Sequence, residues 1–347
     1  MRIAFVCPYS YPSICGVWNR VFEIAKRLAK KHEIHVFSSN EIKGTNKISS
    51  EYELYKGIHI YRFPIKFKIS ENAKYFSFEK KLIEIKPELI VTEVYRHPHS
   101  TKALKLAKKL NIPCILTTHA PFLEKGIRPF YLEMLVKMYD LVIGRRIFKK
   151  YNKIIAITKW EIPYLKKLGA KNIVYIPNGI PDEFFKVKSK NGSYILYLGR
   201  IAPIKNLEML NNLSYDVKLV GPKEGGYYKK LKFKIEDPVY DLKKKIDIYN
   251  NCKVFILPSK REGMPQSLIE AMALKKIVIG SDIIGIKEIV IDGKNGFIFK
   301  DVNELKEKVD LAMKKDLNEI RKNAFETAKK YKWSVLIKEI ENAYGLG

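Results

Sequence analysis

Short apolar runs alternate with longer amphipathic, lysine-rich segments over most of this 347-residue chain, and that alternation limits its fold more than any other feature. The run "RIAFVCP" is followed, after a loop, by "VWNRVFEIAKRLAKKH", in which Val21, Ile24, Ala25 and Leu28 recur at helical spacing. "EIHVFSS", "GIHIYRFP", "ELIVTE", "IPCILTTH" and "KIIAIT" read as further strands, with "STKALKLAKKLN" and a long region around "YLEMLVKMYDLVIG" as helices. Strands that alternate with helices pair in parallel through right-handed crossovers, which gives an α/β, Rossmann-like class. A second series starts at "YILYLGR" and runs through "DVKLVGP", the helical "DLKKKIDIYNNC", "KVFILPS", a helix from about Pro265, "KIVIGS" and "GFIF". The turn-rich stretch 177–185 separates the two. We therefore expect one domain over residues 1–182, a second over 183–330, and a terminal helix over 331–347.

Composition bounds the function. The formal charge of +28 leans toward the N-terminal half, and anionic membrane surfaces, nucleic acids or phosphorylated substrates would all suit it. A lysine-rich thermophilic composition, in which Gln266 is the only glutamine, would suit it as well. No apolar run approaches the ~20 residues of a membrane span. "MRIAFVCPYS" reads as a first strand and not as a cleaved leader. Cys7, Cys15, Cys114 and Cys252 are scattered without a C-x-x-C pair, so a reduced, cytoplasmic setting without structural zinc is the simplest expectation.

The polar motifs follow strands, where open parallel sheets bind ligands. In "SKREGMPQSLIEAMA" the strand "KVFILP" has just ended, Pro265 suits a first helical turn, and Gly263 permits close backbone approach to a ligand. Free amides of Met264, Gln266 and Ser267 at the start of that helix favour a phosphate. Glu262 and Glu270, eight positions apart, stand on either side of the helix start. Acids there accept hydrogen bonds from sugar hydroxyls more readily than they hold phosphates. Acids that merely stabilise a helix start would also fit.

This stretch resembles the E-x7-E signature of the retaining GT-B glycosyltransferases of family 4, and the likeness spreads over nearly the whole chain, most closely from Tyr194 to Phe299. It implies two Rossmann-like domains facing across a cleft, with a C-terminal helix, "YKWSVLIKEIENAYG", crossing back to the first. It also implies that Glu270 binds the ribose of a nucleotide diphosphate sugar and that Glu262 contacts the transferred sugar. Gly263, Met264, Pro265, Gln266 and Ser267 then line the donor site. "LGRIAPIKN" carries over Arg200 and Lys205, two cations that neutralise the leaving diphosphate as its charge develops. In "PYSYPSICGVWNR" only Gly16 remains of the family's usual Gly-Gly turn near the donor phosphate, with Trp18, Asn19 and Arg20 on the acceptor side. "LTTHAP" places His119 over the donor sugar, and "VYRHPHS" offers Tyr95 and Arg96 to the acceptor. "GIKEIV" has Gly285 where Gly-Gly is usual, and we read Glu288 there as structural.

No D-x-D pair is present, so the resemblance implies diphosphate neutralisation by Arg200 and Lys205, with no metal and no other cofactor. The implied reaction moves a hexose, UDP- or GDP-linked, to a hydroxyl of a glycan or lipid-linked acceptor with retention of configuration. A basic, non-catalytic protein for nucleic acid or membrane would explain the charge but not this ordered set of residues. A nucleotide-sugar 2-epimerase or a phosphorylase would keep the fold and change the reaction. The segments 65–86 and 131–153 mix apolar and basic residues and could lie on an anionic bilayer at the inner membrane face, although ordinary crossover helices fit equally. Residues 235–240 are the candidate base pocket. No nucleic-acid partner is expected, since aromatic-rich RNA-binding motifs are lacking.

Overall fold

The computed structural model describes residues 1–13, 15–68, 73–122 and 129–347. Ile14 of the first strand-to-helix turn and residues 69–72 of the segment 65–86 lie outside that set. The chain divides into two compact units, Met1–Pro177 with Ile337–Gly347, and Asn178–Leu336. The division falls at Pro177 and not after residue 182, and the chain rejoins the first unit at Ile337 and not at 331.

The first unit is built on strands β1 (Arg2–Val6), β2 (Glu33–Ser39), β3 (Tyr52–Tyr55), β4 (Ile58–Phe63), a small ribbon β5 (Ile65–Lys68) and β6 (Lys74–Phe76), then β7 (Leu89–Glu93), β8 (Cys114–Thr117), β9 (Lys153–Ala156) and β10 (Ile173–Tyr175). The large sheet runs β10-β9-β8-β7-β1-β2-β4-β3. All neighbours are parallel except β3 with β4, which form a hairpin. The two hairpin residues, Lys56 and Gly57, both have positive φ, 51° and 79°, the backbone of a type I′ turn. Lys-Gly lacks the usual Asn-Gly signal, which is why this strand is not evident in the sequence. Helices α1 (Gly16–Leu28), α2 (Glu79–Ile85) and α3 (Pro98–Leu110) connect the strands, followed by α4 (Phe130–Tyr139), α5 (Arg145–Phe148) and α6 (Ile162–Lys167). Central strands such as β7 are buried along their whole length, because helices cover both faces of a parallel sheet.

The long helix expected around "YLEMLVKMYDLVIG" breaks into α4, one wide π turn over Asp140–Gly144, and α5. Packing explains the break: a Cβ on Gly144 would come within 2.2 Å of the Tyr95 hydroxyl, and that hydroxyl donates to Asp140 Oδ1 at 2.8 Å.

The second unit holds β11 (Tyr194–Leu198), β12 (Val217–Val220), β13 (Ile235–Glu236), β14 (Cys252–Leu257), β15 (Ile277–Ser281) and β16 (Phe297–Phe299) in the all-parallel order β13-β12-β11-β14-β15-β16. Helices α7 (Leu242–Asn250), α8 (Gln266–Ala273), α9 (Ile284–Lys287), α10 (Val302–Lys314) and α11 (Asn318–Lys329) pack around it. In α8, Leu268, Ile269 and Met272 are fully buried and face the sheet, and burying each contributes roughly 1.5–3 kcal/mol. Helix α12 (Trp333–Tyr344) begins in the second unit and ends in the first, where Tyr344 packs on Phe5 of β1 with ring centroids 6.2 Å apart. Both units are thus of the α/β class.

Candidate functional site

Two groups of polar residues gather at the C-terminal ends of the strands, one in each unit. In the second unit β14 ends at Leu257, and the loop after it brings Ser259, Glu262 and Gly263 to the start of α8. Lys205 closes a single 3-10 turn, Pro203–Lys205, after β11, and Asn206 at φ 52° reverses the chain. The two loops are joined through their backbones, Lys260 N donating to Ile204 O at 2.9 Å. Glu262 Oε1 consequently accepts from Lys205 Nζ at 2.7 Å and from Ser259 Oγ at 2.6 Å. Both side chains of the ion pair are more than four-fifths buried, 16% and 12% exposed. Glu262 Oε2 takes no donor among the described residues.

Glycine shapes this loop. A Cβ on Gly285, in α9, would lie 2.3 Å from the Glu262 carbonyl oxygen, so the helix packs directly on the loop backbone. Likewise the turn after β12 depends on Gly221, at φ 148°, whose Cβ would meet Gly199 O at 1.9 Å.

Helix α8 starts one residue later than expected. Pro265 is the cap and Gln266 the first helical residue. The Gln266 amide, expected to be free for a phosphate, is spent on Met264 O at 3.0 Å. The Gln266 side chain donates to Gly179 O at 3.0 Å, and Met264 Sδ accepts from Asn178 N at 3.0 Å, so two of the expected lining residues hold the entry to the unit. Ser267, in the first turn of α8, is half-buried, as are Gly263 and Met264. Glu270 is nearly buried and both its oxygens are occupied: Lys245 Nζ reaches Oε1 at 2.6 Å and Tyr249 OH reaches Oε2 at 2.9 Å. These partners are four apart on α7. Burial, and then the Glu270 charge, push the Tyr249 hydroxyl far above its ordinary pKa, so it stays a donor. Each carboxylate oxygen keeps a second lone pair for a ligand hydroxyl. Arg200 is 56% exposed and paired with Glu224 at 2.6 Å.

In the first unit β7 and β8 end side by side at Glu93 and Thr117. His119 Nε2 lies 2.6 Å from Oε2 of Glu93, which is completely buried, and Thr117 Oγ1 donates to the other Glu93 oxygen at 3.3 Å. A carboxylate oxygen accepts, so the His119 ring meets Glu93 as a donor from Nε2. Thr118 Oγ1 donates to Glu161 at 2.7 Å, and burial raises the Glu161 carboxyl to about 7 despite backbone donors at Ile157 and Thr158. The backbone here is strained: Val94, Arg96, His119 and Ala120 all have positive φ, between 48° and 75°. Non-glycine residues in that region cost about 1–3 kcal/mol each and gather at functional sites.

The remaining candidates of the first unit, Gly16 on the donor side and the others on the acceptor side, divide. Gly16 begins α1, exposed, and a Cβ added to it would meet nothing within 4 Å; Asn19 is exposed beside it. Trp18 and Arg20 are instead core. Trp18 is 4% exposed and packs on Phe22, while Arg20 is fully buried and donates to Pro177 O at 2.8 Å. Helical periodicity is the reason, since both fall on the inward stripe with Val21 and Ile24. Tyr95 is also buried, and Arg96 is held by Asp140 through two nitrogens, at 2.8 and 2.6 Å, and by Pro121 O at 2.7 Å. Sequence reasoning missed Glu93, Ser259, Lys245 and Tyr249. An acid closing the apolar run "ELIVTE" was a usable signal for Glu93, but no pattern announced the others. Among the described residues, no group of three potential metal ligands occurs.

Two family profiles together match nearly the whole chain. The profile described as Glycosyl transferases group 1 matches residues 180–331, and that of Glycosyltransferase Family 4 matches residues 14–184. The chain belongs to the family 4 group of glycosyltransferases. It is 28% identical to an uncharacterized glycosyltransferase of Methanocaldococcus jannaschii over 96% of this chain and 95% of that one. It is 24% identical to the N,N'-diacetylbacillosaminyl-diphospho-undecaprenol alpha-1,3-N-acetylgalactosaminyltransferase of Campylobacter jejuni, over 72% and 74% of the two chains. Among solved structures, Anabaena HepE in complex with UDP shares the fold at TM-score 0.75 and 16% identity, with 99% and 100% of the chains covered. The glycosyltransferase thus carries its two clusters on the two halves of a GT-B fold.

Proposed function

We propose that this glycosyltransferase moves a hexose from a UDP- or GDP-linked donor to a hydroxyl of a lipid-linked or glycan acceptor, with retention of configuration and without a metal. The observation that carries the reading is the state of Glu262. Lys205 and Ser259 hold one of its oxygens, and the other, without a donor among the described residues, is ready for a hydroxyl of the donor sugar. Glu270, oriented by Lys245 and Tyr249, takes the ribose hydroxyls. Arg200 and Lys205 supply positive charge to the departing diphosphate, the main electrostatic demand of such a transfer.

Retention follows from a front-face course. The bond from the anomeric carbon to the diphosphate oxygen breaks, the acceptor oxygen bonds to that carbon on the same face, and the acceptor proton passes to the diphosphate oxygen. Glu262, neutralised by Lys205 at 2.7 Å, is a weak nucleophile, which disfavours a covalent double displacement. His119, oriented by Glu93, is the first unit's candidate for stabilising an oxocarbenium-like sugar. A lipid-linked acceptor is supported by the Campylobacter relative, whose name specifies a diphospho-undecaprenol substrate, and by the basic charge of the N-terminal half. The site of action is then the cytoplasmic face of a membrane.

The test is incubation with UDP- and GDP-hexoses and lipid-diphosphate acceptors, with and without EDTA. Nucleoside diphosphate release should persist in EDTA and the product should keep the donor's anomeric configuration by NMR. Inversion, or no release from any donor, would overturn the proposal.

A further inference from the structure

Helix α4 and the turn after it are built inside out for a water-facing element. Phe130, Tyr131, Met134, Leu135, Met138, Leu141 and Val142 recur at spacings of three and four and are all exposed, Phe130 by 83% and Tyr131 by 62%. No residue of α4 is buried. The acids of the segment lie on the inner, half-buried side: Glu133 is bonded to Lys137, and Asp140 to Arg96. Contiguous exposed apolar surface of this kind marks an interaction site. The cations are distributed differently. Lys137, Arg145, Arg146, Lys149 and Lys150 are exposed on the same segment.

Beside this face is an apolar pocket of about 410 Å³, lined by Phe122, Val136, Leu141, Tyr164 and Leu168, with Arg145 and Lys167 among its cations. Arg96 also lines it and is bonded to Pro121 O, two residues beyond His119.

We propose that the face formed by residues 130–150 docks into an anionic lipid bilayer, with Phe130, Leu135 and Met138 entering the acyl region and Arg145, Arg146, Lys149 and Lys150 meeting the headgroups. Apolar area and basic charge together are what an interfacial helix requires. Charge decides against a second copy of the chain as the occupant, since an isologous contact would bring these cations against themselves. The role we give the surface, presenting a lipid-borne acceptor, rests on the transferase reading; the docking itself does not.

The test is flotation of the full chain with vesicles of phosphatidylcholine alone and with vesicles in which about a third of the lipid is phosphatidylglycerol, alongside sedimentation velocity. The wild type should float with the anionic vesicles, and Leu135→Glu/Met138→Glu should reduce the bound fraction at least tenfold with an unchanged melting temperature. Lys149→Glu/Lys150→Glu, also exposed, should weaken binding to anionic vesicles several-fold. No flotation of the wild type, or equal flotation of the Leu135→Glu/Met138→Glu variant, would overturn the proposal, as would a wild-type dimer that the same variant dissolves. A protein that floats but binds no nucleoside diphosphate would leave the docking in place and remove the transferase reading.

Discussion

Gly285→Ala tests whether the geometry around Glu262 is as tightly determined as the packing of α9 indicates. The new Cβ would sit 2.3 Å from the Glu262 carbonyl oxygen, 2.9 Å from its carbonyl carbon and 3.0 Å from Gly263 O. All three are backbone atoms, so no rotamer change relieves the clash. The loop or α9 must move by about 1 Å, and overpacking of this kind costs about 1–3 kcal/mol. For a unit of this size that corresponds to a fall in melting temperature of roughly 2–12 °C. The larger effect is on turnover, because displacing a reacting group by about 1 Å costs on the order of a hundredfold. Calorimetry and diphosphate release would measure both, with Gly226→Ala as control, since nothing lies within 4 Å of a Cβ there. Equal stability and turnover in Gly285→Ala and the control would show that α9 does not hold the loop in this way.

Three further outcomes follow from the same contacts. Glu93→Ala removes a fully buried carboxylate from His119 and should destabilise the protein by about 3 kcal/mol in urea titrations, more than His119→Ala, while both lower turnover. Arg200→Ala breaks only an exposed ion pair, so stability should change by less than about 1 kcal/mol while turnover falls at least tenfold in a donor assay. Glu161, raised in the fold from 4.5 to about 7, binds its proton more tightly folded than unfolded. Its contribution is present below pH 4.5 and lost as pH rises to about 7, roughly 3 kcal/mol in all, and Glu161→Gln should flatten that part of the stability profile measured by urea unfolding.

The fold was legible because parallel sheets write themselves as apolar runs separated by helical periodicity, and both large sheets follow that pattern. Elements set by something other than periodicity were not legible. The β3–β4 hairpin turns on Lys56-Gly57, and the π turn over Asp140–Gly144 answers to the Tyr95 hydroxyl from another part of the chain. At the site the stretches "SKREGMPQSLIEAMA" and "LGRIAPIKN" follow β14 and β11, so sequence position alone places Glu262, Glu270 and Lys205 in one unit. It carried no information on what orients them, because Ser259, Lys245 and Tyr249 act through contacts that close only in three dimensions. Trp18 and Arg20 show the opposite failure: proximity in sequence to Gly16 suggested an acceptor surface, while helical phase turned both side chains inward.

Whether the second unit holds a nucleotide diphosphate sugar through Glu270 and Lys205 is tested most directly by thermal shift with UDP, GDP and ADP, with and without magnesium, on the wild type, Glu270→Ala and Lys205→Ala. UDP or GDP should raise the melting temperature of the wild type independently of magnesium, and both variants should lose the shift. A wild type indifferent to all three nucleotides, or variants that keep the full shift, would contradict that assignment.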